Sequence, residues 1–234
     1  MLHKYQYGKT TIAYRVRFAE RKTLQINVHP DKSVETVAPI GTPLEAIEQK
    51  VEKRAKWIVQ QQRFFDAFLP RTPPRQYVSG ETHKYLGKHY LLKIRMADIE
   101  KVRMQQGCLM VYTPMPNDKT TVKKLVHSWY LKQATQWFTR LLDESYLLFK
   151  REKIAFPILQ IRRMSNRWGS CTASGKIILH PDIVQAPVIC IRYVLIHELC
   201  HLVIPAHNKA FYRLLDGKMP DWRRWKERLD KGMV

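Results

Sequence analysis

The stretch VICIRYVLIHELCHLV, Val188 to Val203, decides the fold, and His197-Glu198-Leu199-Cys200-His201 within it decides the chemistry. Residues four apart lie on one face of a helix, so the imidazoles of His197 and His201 can converge on one metal ion. Glu198 follows the first histidine, where its carboxylate can reach a water activated by that metal. Val188, Ile189, Ile191, Tyr193, Val194, Leu195, Ile196, Leu199, Leu202 and Val203 make the run apolar on nearly every face, which marks a buried helix. A surface helix carrying the motif by chance would turn both histidines to solvent, and this run has no polar face besides the motif itself. A structural zinc site is usually closed by four protein ligands, commonly cysteine-rich. Burying an unpaired carboxylate is costly, and a zinc ion with its water would compensate for Glu198.

The helix has readable ends. Pro187 suits a first helical position, because it has no N–H to leave unpaired. Pro205 disfavours helical geometry at Ile204, so the helix should stop there. His207 then follows ten residues after His197, the spacing of the H-E-x-x-H-x-x-G-x-x-H metalloproteases, in which the third histidine completes the ligand set. Ile204 stands where that pattern has glycine, so Pro205-Ala206 must make the turn another way. A solvent-facing His207 is the plain alternative, with Glu227 or Asp221 then supplying a carboxylate ligand. Cys200 reads as a small core residue.

Five blocks, the metal helix among them, extend the reading. They are Arg167-Trp168-Gly169-Ser170-Cys171, Gly175-Lys176-Ile177-Ile178-Leu179, the metal helix, His207-Asn208-Lys209-Ala210-Phe211 and Met219-Pro220-Asp221-Trp222. In order and spacing they resemble the YgjP-like metallopeptidases, zincins related to the SprT-like and M48-type enzymes. The sharp resemblance covers about residues 160 to 230, and a softer one, including Tyr77 to Ile94, extends over most of the chain. Tyr212 stands where the family pattern often has tryptophan. The resemblance implies a zinc-dependent peptidase with one Zn2+ per chain, His197, His201 and His207 as ligands and Glu198 as general base. It implies a peptide or protein substrate. The SprT-like kinship, with relatives acting on DNA-associated proteins, raises nucleic acid as a second partner.

Composition bounds the alternatives. The chain has 234 residues with 45% hydrophobic and 26% charged, ordinary for a globular protein and far from disorder. The opening MLHKYQYGKTT lacks the apolar core of a secretory signal, and the longest apolar stretch is the metal helix, which no membrane span would interrupt with Arg192, His197, Glu198 and His201. Cys108, Cys171, Cys190 and Cys200 show no paired spacing, so a reducing cytoplasm is the expected compartment. Lys and Arg total 41 against 20 Asp and Glu, a formal charge of +21. Residues 1–117 carry 20 against 10 and residues 118–234 carry 21 against 10, so the excess is no basic tail. Such a surface attracts polyanions, or simply keeps the protein soluble. Arg162, Arg163 and Arg167 before the metal helix, and Arg223, Arg224, Lys226 and Arg228 after it, are candidate local patches.

The expected class is α+β, with a β-rich region over 1–117 and a zincin-like domain over 118–234. Residues 5–39 read as strands, with alternation in Thr10–Arg17 and Leu24–Val28 and a third strand at Val34–Ala38. Thr42, Pro43 and Glu45 form a capping-box start for a helix to about Phe68, with Ile47, Val51, Ala55, Ile58 and Val59 inside. Residues 69–74 read as a linker. More β structure spans Tyr77–Val111, with turns at Gly80, Gly87 and Gly107. A long helix over about Lys119–Lys153 backs the metal helix through Leu125, Trp129, Ala134, Trp137, Leu141 and Leu148. Ile158–Ser165 and Lys176–His180 read as two strands joined near Gly175. Trp168, Gly169 and Ser170 then line the cleft or, for Trp168, pack the core. Asn166, Tyr212 and Tyr193 are candidate oxyanion stabilisers. Met219 reads as packing, or as a methionine below the metal. The sequence shows no internal repeat.

Overall fold

The computed structural model describes residues 2–8, 10–29, 31–66, 75–164, 167–172 and 174–232, with side chains described for all of these except 64–66. Contacts divide the chain into two compact units, Met1–Thr72 and Pro73–Met233. The expected linker 69–74 lies outside the described residues. The division falls within it, and the boundary drawn at 117 lies inside the second unit. The reason is a shared core: Leu92, Leu109 and Val111 are buried in one cluster with Phe138, Ile191 and Leu195.

In the first unit, β1 (Leu2–Tyr7), β2 (Thr10–Ala19), β3 (Gln25–Val28) and β4 (Val34–Pro39) form a sheet of order β1-β2-β4-β3. β2 and β4 are parallel, from Tyr14 opposite Val34 to Ala19 opposite Pro39, and the other pairs are antiparallel. Period-two alternation turns Ile12 and Tyr14 to one face. There they meet Val34, Ala38 and the stripe Ile47, Val51, Ala55, Ile58 and Val59 of α1 (Leu44–Asp66). Thr42 departs from the expected capping box: its hydroxyl donates to the Pro39 carbonyl at 2.8 Å, tying the helix start to the end of β4.

The second unit opens with the same pattern. β5 (Thr82–Tyr85), β6 (Lys88–Met96), β7 (Lys101–Gln105) and β8 (Cys108–Thr113) are ordered β5-β6-β8-β7, again with one parallel pair, from Leu91 opposite Cys108 to Met96 opposite Thr113. The backbone therefore repeats a four-strand topology that no residue repeat announces. α2 (Lys119–Tyr146) follows, its first turn capped by the Asp118 carboxylate, which accepts from Thr120 N at 2.9 Å and Thr121 N at 3.3 Å.

α2 ends seven residues before the expected Lys153. The chain tightens into a 3-10 helix at Leu147–Glu152, Phe149 leaves helical geometry at φ −105° and ψ 15°, and Lys153 takes a left-handed φ of 51°. The change buries Phe149 and leaves Leu148, expected inside, exposed. Lys218 donates to the Leu148 carbonyl at 2.6 Å and pairs with Glu152 at 2.6 Å.

A third sheet joins β9 (Ile158–Ile161), β10 (Gly169–Cys171) and β11 (Lys176–Leu179) in the order β10-β11-β9. Instead of one hairpin, β9 and β11 run parallel and β10 makes the hairpin with β11, so β10 is an edge strand beside the metal helix. A 3-10 helix, Pro181–Gln185, leads into α3 (Val188–Val203). Pro187 is the residue before the first helical turn, not within it; its carbonyl accepts from Cys190 N at 2.8 Å. Ile204 is extended before Pro205, which ends the helix where expected. α4 (Lys209–Lys218) and α5 (Trp222–Gly232) complete the unit.

The β5–β6 turn positions α3. Leu86 N and Gly87 N donate to the carbonyls of Val184 and Gln185, both at 3.0 Å. Gly87 has φ +80°, and a Cβ there would lie 2.7 Å from Pro187 Cγ and 2.9 Å from its Cα. Only glycine fits both the turn and the approach of the metal helix. Among the described residues no helix is long and apolar enough to cross a membrane.

Candidate metal centre

α3 presents His197 and His201 on one face, and the turn between α3 and α4 brings His207 to meet them. His207 Nε2 lies 3.0 Å from His197 Nε2 and 3.1 Å from His201 Nε2. Zinc–nitrogen bonds of about 2.0–2.1 Å in tetrahedral array place ligand nitrogens roughly 3.3 Å apart, so the spacing fits a divalent metal. The Ile204 carbonyl, which can only accept, lies 3.3 Å from His201 Nδ1. That contact puts the proton on Nδ1 and leaves the Nε2 lone pair free for a metal. Burial pushes the His197 pKa down to about 3, with His201 and His207 adding to the fall, and burial lowers that of His201 as well. Both rings are thus held in the neutral form that ligates. Among the described residues these three histidines are the group whose ligand atoms converge; Asp221 and Glu227 are outside it, and Glu227 pairs with Lys231.

Phe211 is the residue that sequence reasoning missed. It is fully buried, and its ring centroid lies 5.0, 4.5 and 4.7 Å from those of His197, His201 and His207, a base against which all three rings rest. Asn208 sets it there by capping α4, its side-chain oxygen accepting from Phe211 N at 3.0 Å. An apolar residue three positions after an N-cap asparagine was the signal, and by itself it says only that α4 has an inner face.

Glu198 is largely buried, 6% exposed, and makes no hydrogen bond or ion pair among the described residues. Burial raises its carboxyl to about 7, against a downward pull from Arg167. Gly169 explains how β10 approaches so closely. A Cβ there would lie 2.6 Å from Glu198 Oε1 and 2.8 Å from Val194 Cγ1. The neighbouring Cys171 thiol is pushed up to about 11, by burial first and then by Glu198. Both influences favour the protonated thiol over the thiolate.

The remaining candidates are distributed around this core. Ser170 lies on β10 and accepts from Arg167 at 3.2 Å. Trp168 packs partly against the core and meets His180 edge-on at 5.4 Å. Tyr193 is buried, 5.9 Å from the His197 ring, and stacks on Trp222, which stacks in turn on Tyr212. Tyr212 is the exposed member of that stack and lies over His207 at 6.1 Å. Met219 is buried at the end of α4. Cys200 is buried in the core, as expected of it. Asn166 lies outside the described residues.

Three imidazoles around one point, with a buried carboxylate on the same helix, define a site of the metallohydrolase type. The family model described as "YgjP-like, metallopeptidase domain" matches residues 22–232, and the chain belongs to that family. Among curated proteins none matches. Among solved structures, the metallopeptidase zymogen of Pyrococcus abyssi abylysin is 24% identical, with 39% of this chain and 87% of that one covered at a TM-score of 0.34.

Proposed function

We propose that this chain is a zinc peptidase whose metal is held by His197, His201 and His207 and whose general base is Glu198. The observation that carries the reading is the convergence of three imidazole nitrogens at 3.0–3.1 Å beside a buried carboxylate. Zinc, when bound, supplies a Lewis acid that brings the pKa of water towards neutrality and polarises the scissile carbonyl.

Glu198 takes the proton from the attacking water and delivers it to the leaving amine. Both transfers need a carboxyl whose affinity for protons lies near neutral pH, and burial moves Glu198 in that direction. Gly169 keeps the β10 backbone against the carboxylate and so fixes where the proton is exchanged. Among the described residues no strand pairs with the outer edge of β10, which offers backbone groups on which an extended peptide would lie as an added strand. Tyr212, exposed at the rim, is a contact for the substrate.

Glu198→Gln keeps the shape of the site and removes the base. It is expected to lower cleavage of an unstructured protein substrate by about 10²–10⁴-fold with zinc content unchanged. Undiminished cleavage by that variant would reject Glu198 as the base.

A further inference from the structure

The second unit holds a polar cavity of about 240 Å³, lined by Arg75, Tyr77, His127, Tyr130, Asp182 and Gln185. None of these residues belongs to the metal centre. The hydrogen bonds around the cavity assign its protons. An arginine only donates. Arg163 Nη2 lies 2.9 Å from His127 Nδ1, so Nδ1 accepts, and the proton of the neutral ring is on Nε2. That proton is donated to Tyr77 Oη at 2.7 Å. Tyr77 is therefore the acceptor in this pair, and among the described residues no hydrogen bond takes up its own hydroxyl proton.

The same reasoning fixes the opposite wall. Arg75 Nη1 donates to His83 Nδ1 at 3.0 Å and Nη2 to Gln185 Oε1 at 2.7 Å. The Gln185 acceptor is thereby used and its amide N–H groups remain. Tyr130 spends its hydroxyl on the Lys84 carbonyl at 2.6 Å. The lining thus presents a guanidinium, a phenolic O–H and an amide N–H₂. The lining also carries acceptors, the Tyr130 oxygen and the Asp182 carboxylate, whose Oδ2 is paired with Arg163 at 3.4 Å.

The backbone is distorted to hold this arrangement. Tyr77 has φ +56°, a region that bulky L-residues rarely enter. The Glu81 carboxylate holds it there, accepting from Gln76 N at 2.9 Å and Tyr77 N at 2.7 Å. Strain of this kind persists where the surroundings over-determine it, and it gathers at binding sites.

We propose that this cavity binds a single oxyanion, a carboxylate or a phosphate group, on the Arg75 guanidinium, the Tyr77 hydroxyl and the Gln185 amide. Donors that line one cavity beside a guanidinium suit that chemistry. The proposal stands independently of the metal centre and of its turnover.

Calorimetric titration of the full chain with inorganic phosphate, and separately with N-acetylglycine, tests it in a buffer free of other oxyanions. At least one of the two is expected to bind with 1:1 stoichiometry, and the tighter one names the group. Tyr77→Phe removes one oxygen and should weaken that binding about tenfold or more, as loss of a hydrogen bond to a charged group does. Arg75→Gln should abolish it. Should Arg75→Gln fail to fold, Tyr77→Phe, checked by near-ultraviolet circular dichroism, carries the test alone. Absence of binding by both anions would overturn the proposal. So would binding to Tyr77→Phe at wild-type strength, which would place the anion elsewhere on a chain of charge +21.

Discussion

The sheet of the first unit and the sheet that opens the second have one strand order, one parallel pair each and a helix directly after them, yet they serve different ends. In the first, α1 packs against β1 to β4 and closes a core of its own, with Ile47, Val51, Ala55 and Ile58 over Ile12, Tyr14, Val34 and Ala38. In the second, α2 packs against β7 and β8 and also against the Pro181–Gln185 turn and α3. Val122 and Val126 share one cluster with Leu109 and Val111 of the sheet and with Cys190, Ile191 and Leu195 of the metal helix. The same topology can close on itself or act as the bed for another element. What separates the two is where the helix buries its apolar residues, together with a hairpin turn that reaches Pro187.

The comparison is broken most directly by truncating each core. Phe138→Ala in α2 should destabilise the second unit by about 3–5 kcal/mol, and Ile58→Ala in α1 should destabilise the first by about 2–5 kcal/mol. Metal affinity, followed by competition with a chromogenic chelator, should fall with Phe138→Ala and stay unchanged with Ile58→Ala. Equal losses from both would mean that the first core also supports the metal helix.

Acid should separate the two next. His83 is 1% exposed in the second unit, and burial, reinforced by Arg75, lowers its pKa from 6.5 to about 4. Between those values the unfolded chain takes up a proton that the folded one refuses. Stability is therefore full above pH 6.5 and declines as the pH falls towards 4, by about 3 kcal/mol in all. Denaturant titrations followed by tryptophan fluorescence report mainly on this unit, which holds all the tryptophans except Trp57. Replacing His83 with Gln should flatten the pH dependence, and an unaltered slope would assign it to other groups.

The smallest of these effects belongs to the hairpin turn. Gly87→Ala places a side chain at φ +80°, a backbone penalty of about 1–2 kcal/mol, and pushes against Pro187. Thermal melts should show that loss together with weaker metal retention. A lower melting temperature with metal retention unchanged would make the turn a matter of stability alone.

Much of this was legible before any coordinates. The apolar run Val188–Val203, with Pro187 at its start and Pro205 at its end, gave the metal helix because these signals act locally, within a turn or two of helix. The α1 stripe was equally plain at helical spacing. What escaped depends on distant partners. β10 is three residues long and exists because β11 and α3 lie beside it; Gly169 was read as a cleft glycine, but that it is Glu198 Oε1 that would lie 2.6 Å from its missing Cβ could not be read from the sequence. Leu148 and Phe149 are both apolar, and only the tightened turn decides which one enters the core. The repeated strand order was hidden because topology is conserved by alternation and turns, which many residue choices satisfy.

One measurement bears most directly on the metal centre: zinc per chain, by elemental analysis of the purified 234-residue chain and of His207→Ala. The account predicts one equivalent in the native chain and a marked loss when His207 is removed, with the fold retained by circular dichroism. A native chain without stoichiometric metal, or a His207→Ala variant as fully loaded as the native one, would contradict it.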